Sequence, residues 1–408
     1  MIIHIDLIIL KLWRKYLIAI NILFKITIWL DFVMFNYGDV SEEMKEYFVR
    51  GEKRAKQLDN RGPVVFDKDG KLENKIVRDY EKYGFYIFQN VYKKQELKEI
   101  ERGFFSILDR LPKDRNSKLD KNGRMAIGSD CKANTLYWSK PLADPFGGTK
   151  LAGGRHPVKM IEPKTEGIKK DIVYLISGSL QFSNSHLRAY AHPDLLAIAE
   201  KINGEDFVPF SDALFIKEPG KGASVAWHQD GITHWGNKIW DPFCHGFNFM
   251  AQLYGSTAAN GVWIVPGTHK LGKLNIKKLI AENGSERLEE AVPLICDPGD
   301  VAITNRQVLH GSFANTSNDW RVTLNFGFHK KSSVLNVRGG GALLSGNSKI
   351  YDENRIEIRS RVIPYAINIR KKRFPDEKSF LYKPFMQGKN KEIKKLNLKD
   401  YNLLDLSI

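Results

Sequence analysis

The chain has few cysteines. Over 408 residues only Cys131, Cys244 and Cys296 occur, far apart and odd in number. No pair has the spacing of a zinc knuckle and no even set can form a disulfide framework, so structural zinc and an oxidising compartment are both excluded as starting points. The expected location is the reducing cytoplasm. No Gly-rich phosphate cradle is present either: Gly339-Gly-Gly341 follows no strand-to-helix context. No internal repeat is visible. Long charge-free apolar runs are also missing. Leu17 to Phe35 is largely apolar, but Lys25 and Asp31 interrupt it, each costing on the order of 2–3 kcal/mol near a bilayer centre. The charge-free stretch Tyr16–Phe24 is too short to span. With Lys11, Arg14 and Lys15 before the run and no small-residue cleavage site after it, a removable signal peptide fits poorly. Residues 1–37 read either as a membrane-associated helix or as a hydrophobic extension outside the folded domain.

Positive charge is abundant. The net charge is +16, and residues 331–408, with seventeen Lys and Arg against eight Asp and Glu, carry nine of those charges. That balance favours encounters with anions, including carboxylate or phosphate metabolites. Its simplest reading is a lysine-rich solvated surface, also for Arg370-Lys-Lys-Arg373 in the tail, with anionic-surface binding as the alternative. Nucleic acid is not an expected partner. The composition, 42% hydrophobic, supports a substantial core.

Hydrophobic periodicity locates that core. Phe85–Phe88 reads as a strand, and Leu97, Ile100, Phe104, Ile107, Leu108 and Leu111 recur at helical spacing until Pro112. Residues 113–160 lack period and read as an irregular segment, with Tyr137 and Trp138 as core aromatics. Asp171–Leu180 is a further apolar element, and Pro193–Ile202 a helix opened by proline; His186 and His192 nearby read as structural or exposed. From Phe207 onward, turn residues separate eight short strands: Phe207–Lys217, Ala223–Gln229, Phe247–Tyr254, Gly261–Val265, Ala291–Cys296, Val301–Thr304, Val308–Ala314 and Arg321–Phe328. Gly231–Gly246 and the helical Leu274–Glu290 interrupt them. The expectation is a mainly β fold with flanking helices (α+β), built on a double-stranded β-helix, the jelly-roll or cupin-like core. The expected division is a hydrophobic extension over 1–37, an enzyme domain over 38–330 with the β-helix at about 205–330, and a basic extension over 331–408.

At the end of the second strand stands Val225-Ala-Trp-His-Gln-Asp230, and the seventh begins Val308-Leu-His-Gly-Ser312. His228 and Asp230, two apart, face one side of a strand. With His310 they supply two neutral nitrogens and one anionic oxygen, enough for one face of an octahedral metal while the other stays open. Iron, manganese and nickel all accept this set. Arg321 opens the eighth strand, where a guanidinium can grip a carboxylate through two parallel hydrogen bonds. His269, beside a Pro-Gly turn, reads as structural.

Taken together, Trp227-His-Gln-Asp230, Asn260-Gly-Val-Trp-Ile-Val-Pro-Gly-Thr-His269, Pro298-Gly-Asp300, His310-Gly-Ser312, Asn315-Thr-Ser317 and Arg321 closely resemble the phytanoyl-CoA dioxygenase family of iron- and 2-oxoglutarate-dependent oxygenases. Tyr83-Gly-Phe-Tyr-Ile-Phe88 and the helix after it resemble the family's N-terminal element, so the likeness runs over roughly residues 75–330. It implies that His228, Asp230 and His310 bind Fe(II), and that Arg321 and Ser312 hold the distal carboxylate of 2-oxoglutarate. Met250 and Gln252, on a strand across the barrel, are further candidates to contact that co-substrate. Related halogenases carry a small residue in place of the carboxylate ligand, so Asp230 favours hydroxylation.

The implied reaction consumes O2 and 2-oxoglutarate, releases succinate and CO2, and hydroxylates a small organic molecule. Desaturation, epoxidation or cyclisation on the same site are alternatives. A reading of another class is a non-catalytic membrane-associated or anion-binding protein that keeps the fold; the complete ligand set together with Arg321 speaks against it. Trp227, His234, Trp235, Trp240 and His245 are candidates for substrate contact, against surface-loop aromatics. The sequence leaves the substrate's identity and the oligomeric state open.

Overall fold

The computed structural model describes residues 36–165, 170–230, 246–339, 349–386 and 396–401. Twelve strands build two facing sheets. They are β1 (Arg61–Gly62), β2 (Phe85–Phe88), β3 (Leu136–Ser139), β4 (Ile172–Ser177), β5 (Val208–Lys217), β6 (Val225–His228), β7 (Gly246–Gln252), β8 (Trp263–Val265), β9 (Val292–Pro293), β10 (Val301–Asn305), β11 (Leu309–Ser312) and β12 (Arg321–His329). The large sheet has the order β1-β2-β10-β7-β12-β5-β4-β3, the small one β6-β11-β8-β9. All eight expected strands from Phe207 onward are present and fall four to each sheet, alternating except where β8 leads directly into β9. This is the double-stranded β-helix.

Period-two alternation explains how the large sheet is buried on both faces. In β7, Phe247, Phe249 and Ala251 join the core beneath the helices, whereas Asn248 and Met250 line the cavity between the sheets. In β12, Val322, Leu324, Phe326 and Phe328 face the helices, and Arg321, Thr323 and Asn325 face the cavity. Each Val, Leu or Phe side chain so buried contributes on the order of 1.5–3 kcal/mol. One set of positions therefore holds the sheet on its helices, while the other is free to carry chemistry.

Helices close both outer faces. On the large sheet lie α3 (Lys94–Asp109), through Ile100 and Phe104, and α5 (Pro193–Asn203), through Leu195, Leu196 and Ile198. Behind the small sheet, α1 (Ser41–Gln57) packs Met44, Tyr47 and Phe48 against Trp263 and Phe313; the Tyr47 and Trp263 rings stack with centroids 4.5 Å apart. Two other helices, α2 (Asn74–Tyr83) and α4 (Asn184–Tyr190), complete the N-terminal half. Neither α1 nor α2 was anticipated, because their apolar positions are diluted by many charges. The segment 113–160, expected to be irregular, contributes β3 at the sheet edge.

The chain beyond β12 returns to the same core. In α6 (Val362–Arg373), Val362, Ile363 and Ala366 pack with Tyr382, Leu398 and Tyr401 against the large-sheet cluster. Arg370 is buried between Glu96 and Glu377, and Arg373 pairs with Glu99. Of the run Arg370–Arg373, Arg370 is thus interior, while Lys371, Lys372 and Arg373 are exposed as a solvated face requires. Of the hydrophobic extension, Asn36 and Tyr37 are described, and Tyr37 is buried beside α1. Among the described residues, no helix is long and apolar enough to cross a membrane.

Candidate active site

The antiparallel pairing of β6 with β11 sets His310 directly opposite His228. Directly paired residues project from the same face, and here the ring centroids lie 4.1 Å apart. Asp230, two residues past His228, comes back to that face, and its own N–H donates to Arg306 O at 2.8 Å. The ligand-type atoms of His228, Asp230 and His310 all lie within 4.8 Å of one another, and all three residues are buried.

Both histidines are oriented by their own strands. His228 Nδ1 donates to Ala226 O at 2.8 Å and His310 Nδ1 to Val308 O at 2.9 Å. Each Nδ1 therefore carries the proton, and each Nε2 keeps its lone pair for a metal. Burial lowers the proton affinity of both rings, and for His228 the neighbouring His310 and His156 lower it further. Two neutral imidazoles are the form a metal requires.

Asp230 is anionic for a different reason. Burial opposes its ionisation, but Arg155 and Arg306 outweigh that and hold the carboxyl well below the usual range. Arg155 Nη1 lies 2.9 Å from Oδ1, the oxygen that also stands 3.7 Å from His228 Nε2. Asn248 Nδ2 donates to Oδ2 at 3.1 Å, and Arg306 Nε lies 3.9 Å from that oxygen. Arg306 is itself fixed, its guanidinium 3.9 Å from the Phe210 ring centroid and Nη1 3.1 Å from His329 Nε2.

The same cavity holds Arg321, whose Nε donates to Asn260 O and Nη1 to Thr323 Oγ1, both at 3.1 Å. Thr323 Oγ1 in turn donates to Gln252 Oε1 at 2.9 Å. Burial pushes the Arg321 pKa down to about 10, which leaves it charged at neutral pH. Ser312 and Met250 line this cavity too, with Phe146, Leu175, Phe215 and Val225 as its apolar wall.

Two candidates sit elsewhere than expected. Trp227 points away from the cavity: it is fully buried in the cluster behind the small sheet, and its indole N–H donates to Glu286 O at 2.7 Å. Adjacent strand residues face opposite sides, so His228 and Trp227 cannot share one. Gln252 does not line the cavity; it stands behind Thr323, which it orients. His234, Trp235, Trp240 and His245 lie outside the described residues.

Sequence reasoning passed over Arg155, His156, Asn248 and Arg306. Arg155 and His156 come from the segment without periodicity, and their one signal is Gly153-Gly154 just before them. His156 is wedged in the site, its ring centroid 4.2 Å from that of His228 and 4.8 Å from that of Phe146.

A barrel whose inner wall presents two metal-ready imidazoles, a carboxylate and a buried arginine defines a metal-dependent enzyme site of the 2-His-1-carboxylate class. The donor set fits a divalent transition metal. Over residues 80–323 the chain matches the model of the phytanoyl-CoA dioxygenase (PhyH) family and belongs to it. Among curated proteins it is 29% identical over 147 residues to the dioxygenase lolE1 of Epichloe uncinata, covering 35% of this chain and 54% of that protein. It is also 30% identical over 112 residues to phytanoyl-CoA dioxygenase 1 of Oryza sativa subsp. japonica, covering 25% of this chain and 37% of that one. The chain thus spans about half or less of the curated relatives it matches. A solved structure of EctD from S. alaskensis, with 2-oxoglutarate and 5-hydroxyectoine, aligns at a TM-score of 0.46 and 14% identity, over 71% of this chain and 89% of that one.

Proposed function

We propose that the chain is an Fe(II)- and 2-oxoglutarate-dependent dioxygenase that hydroxylates a small organic molecule and releases succinate and CO2. The observation that carries this reading is the presence of His228, Asp230, His310 and Arg321 on the wall of one cavity. A binding module has no use for both a metal face and a buried guanidinium. Family membership supports the same class of chemistry.

Bound iron would supply the activation of dioxygen, coupled to decarboxylation of the co-substrate, which no side chain can perform. The chain's own part is to bind, orient and exclude water. His228 and His310 present Nε2 lone pairs, and Asp230 presents a carboxylate kept ionised by Arg155 and Arg306. Arg321 takes the distal carboxylate of 2-oxoglutarate, with its plane fixed by Asn260 and Thr323 and Ser312 on the same wall. Phe146, Leu175, Phe215 and Met250 keep the reacting region apolar. Desaturation, epoxidation or cyclisation use the same machinery, and the substrate's pose selects among them.

Anaerobic titration of the protein with Fe(II) and 2-oxoglutarate tests the reading. A visible metal-to-ligand charge-transfer band is expected, lost in His228→Ala and His310→Ala. If wild-type protein gives no band and releases no succinate in air, the proposal fails.

A further inference from the structure

Arg155 helps to keep Asp230 ionised, but its contact there is through Nη1, and Nε is left for another group. Three consecutive left-handed residues, Ala152 (φ 51°), Gly153 (φ 68°) and Gly154 (φ 70°), turn the chain so that Arg155 and His156 enter the cavity. A non-glycine residue in that region costs roughly 1–2 kcal/mol, which Ala152 offsets in part by packing in the cluster of Phe146 and Tyr174. Arg155 lines the cavity with its side chain 15% exposed, and its Nε, though buried, has no hydrogen-bond partner. His156 Nδ1 beside it is also buried without a partner.

Charge then indicates what the cavity takes. Among the described residues, the ionised side chains on its wall are Arg155, Asp230 and Arg321. They sum to one positive charge, and Fe(II) with the 2-oxoglutarate dianion adds none. Arg306, behind Asp230, makes the field more positive. Arg155 lies on Oδ1 of Asp230, the oxygen that also faces His228 Nε2. A carboxylate serving a metal has less negative charge to offer a guanidinium, and burying a cation without an anion is costly. Phe146, Leu175, Phe215 and Val225 give the cavity an apolar side, while Ser211, Asn248, Ser312, Thr323 and Asn325 are its uncharged polar groups.

We propose that Arg155 is the anion anchor of the substrate site, and that the substrate is a small monocarboxylate with an apolar body. Its carboxylate pairs with Arg155 beside His156 while its hydrocarbon lies along the Phe146 and Phe215 wall. This assignment rests on the dioxygenase reading, since that reading places the 2-oxoglutarate carboxylate on Arg321 and leaves Arg155 for the substrate.

The test uses full-length protein loaded anaerobically with Fe(II) and 2-oxoglutarate. Probes are hexanoate and 3-phenylpropionate, each against its neutral amide, with hexyl phosphate as a dianion control. Binding is read by calorimetry and by the shift of the charge-transfer band. Wild type is expected to prefer each acid over its amide by about tenfold or more, the range for a hydrogen bond to a charged group. Arg155→Gln should erase that preference, compared on protein that still gives the charge-transfer band, and Arg155→Lys should restore part of it. No preference in wild type, or none of the acids bound, overturns the assignment, as does tighter binding of hexyl phosphate. Equal loss of acid and amide binding in Arg155→Gln gives Arg155 a structural role and also overturns it. Loss of 2-oxoglutarate affinity in Arg155→Gln at unchanged Fe(II) affinity moves Arg155 to the co-substrate and overturns the assignment. Absence of the charge-transfer band in wild type marks failure of the dioxygenase reading itself, and this inference falls with it.

Discussion

Replacing Arg321 separates holding the co-substrate from holding the barrel. Of the five guanidinium N–H groups, the structure commits one on Nε to Asn260 O and one on Nη1 to Thr323 Oγ1. The second Nη1 hydrogen and both on Nη2 are then left for a carboxylate, enough for a two-point contact. Arg321→Lys keeps the charge, but an ammonium cannot serve Asn260, Thr323 and two carboxylate oxygens together. Losing one charge-assisted hydrogen bond costs about 1.5–3 kcal/mol, so 2-oxoglutarate should bind roughly 10- to 100-fold more weakly. Arg321→Ala removes the charge as well, and a loss of about 2–5 kcal/mol is expected, roughly 30-fold to several thousandfold. The assay is anaerobic titration of the iron-loaded protein, followed by charge-transfer absorbance. Alanine also orphans Asn260 O and leaves Thr323 Oγ1 with its bond to Gln252, so thermal unfolding is measured in parallel, with a stability loss of about 1–3 kcal/mol expected. The reasoning is refuted if Arg321→Ala, still folded and still binding metal, takes 2-oxoglutarate within about threefold of wild type, since affinity that survives loss of the charge-assisted pair means another residue holds the carboxylate.

Three further outcomes follow from the packing. An added Cβ at Gly51 would overlap the Trp263 ring, so Gly51→Ala should lower stability by about 1–3 kcal/mol in denaturant melts; an unchanged midpoint would mean α1 does not dock on the small sheet. Arg370→Ala strands the buried carboxylate of Glu96, and a loss of about 3–5 kcal/mol is expected; a loss below about 1 kcal/mol would detach the tail from the core. Burial pushes the His186 pKa down to about 4 from 6.5, so the unfolded chain binds the extra proton. The stability it contributes is complete above pH 6.5 and declines as pH falls from 6.5 toward 4, by about 3 kcal/mol in all. His186→Gln should therefore gain about 2 kcal/mol on wild type between pH 7.5 and pH 5; parallel stability profiles would refute a neutral buried imidazole.

How much of this was legible beforehand depends on whether a residue sits on a regular element. The eight strands from Phe207 onward were readable because turn residues bound short apolar runs, and His228, Asp230, His310 and Arg321 because strand spacing and family resemblance place them together. The misplacement of Trp227 broke the same period-two rule, since it is adjacent to a ligand and so must face the other way. Gln252 stands one step further from the site than its strand position implies, reaching it through Thr323. Arg155 and His156 were not legible, because a left-handed turn sends them across the molecule and neither period nor propensity encodes its direction.

That difference matches a division of labour in the site. His228, His310 and Arg321 stand on paired strands, with Asp230 just past the end of β6, and tautomers and guanidinium plane are fixed in part by backbone carbonyls, of Ala226, Val308 and Asn260. Such chemistry tolerates little displacement, and rigid elements supply that precision. Arg155 and His156 arrive on a loop, where an insertion or an altered turn changes what the cavity presents without disturbing the ligands. If the carboxylate assignment holds, the shared oxygenase chemistry is written in the strands, and this chain's own choice of substrate in the turn Ala152-Gly-Gly154 that delivers its anion anchor.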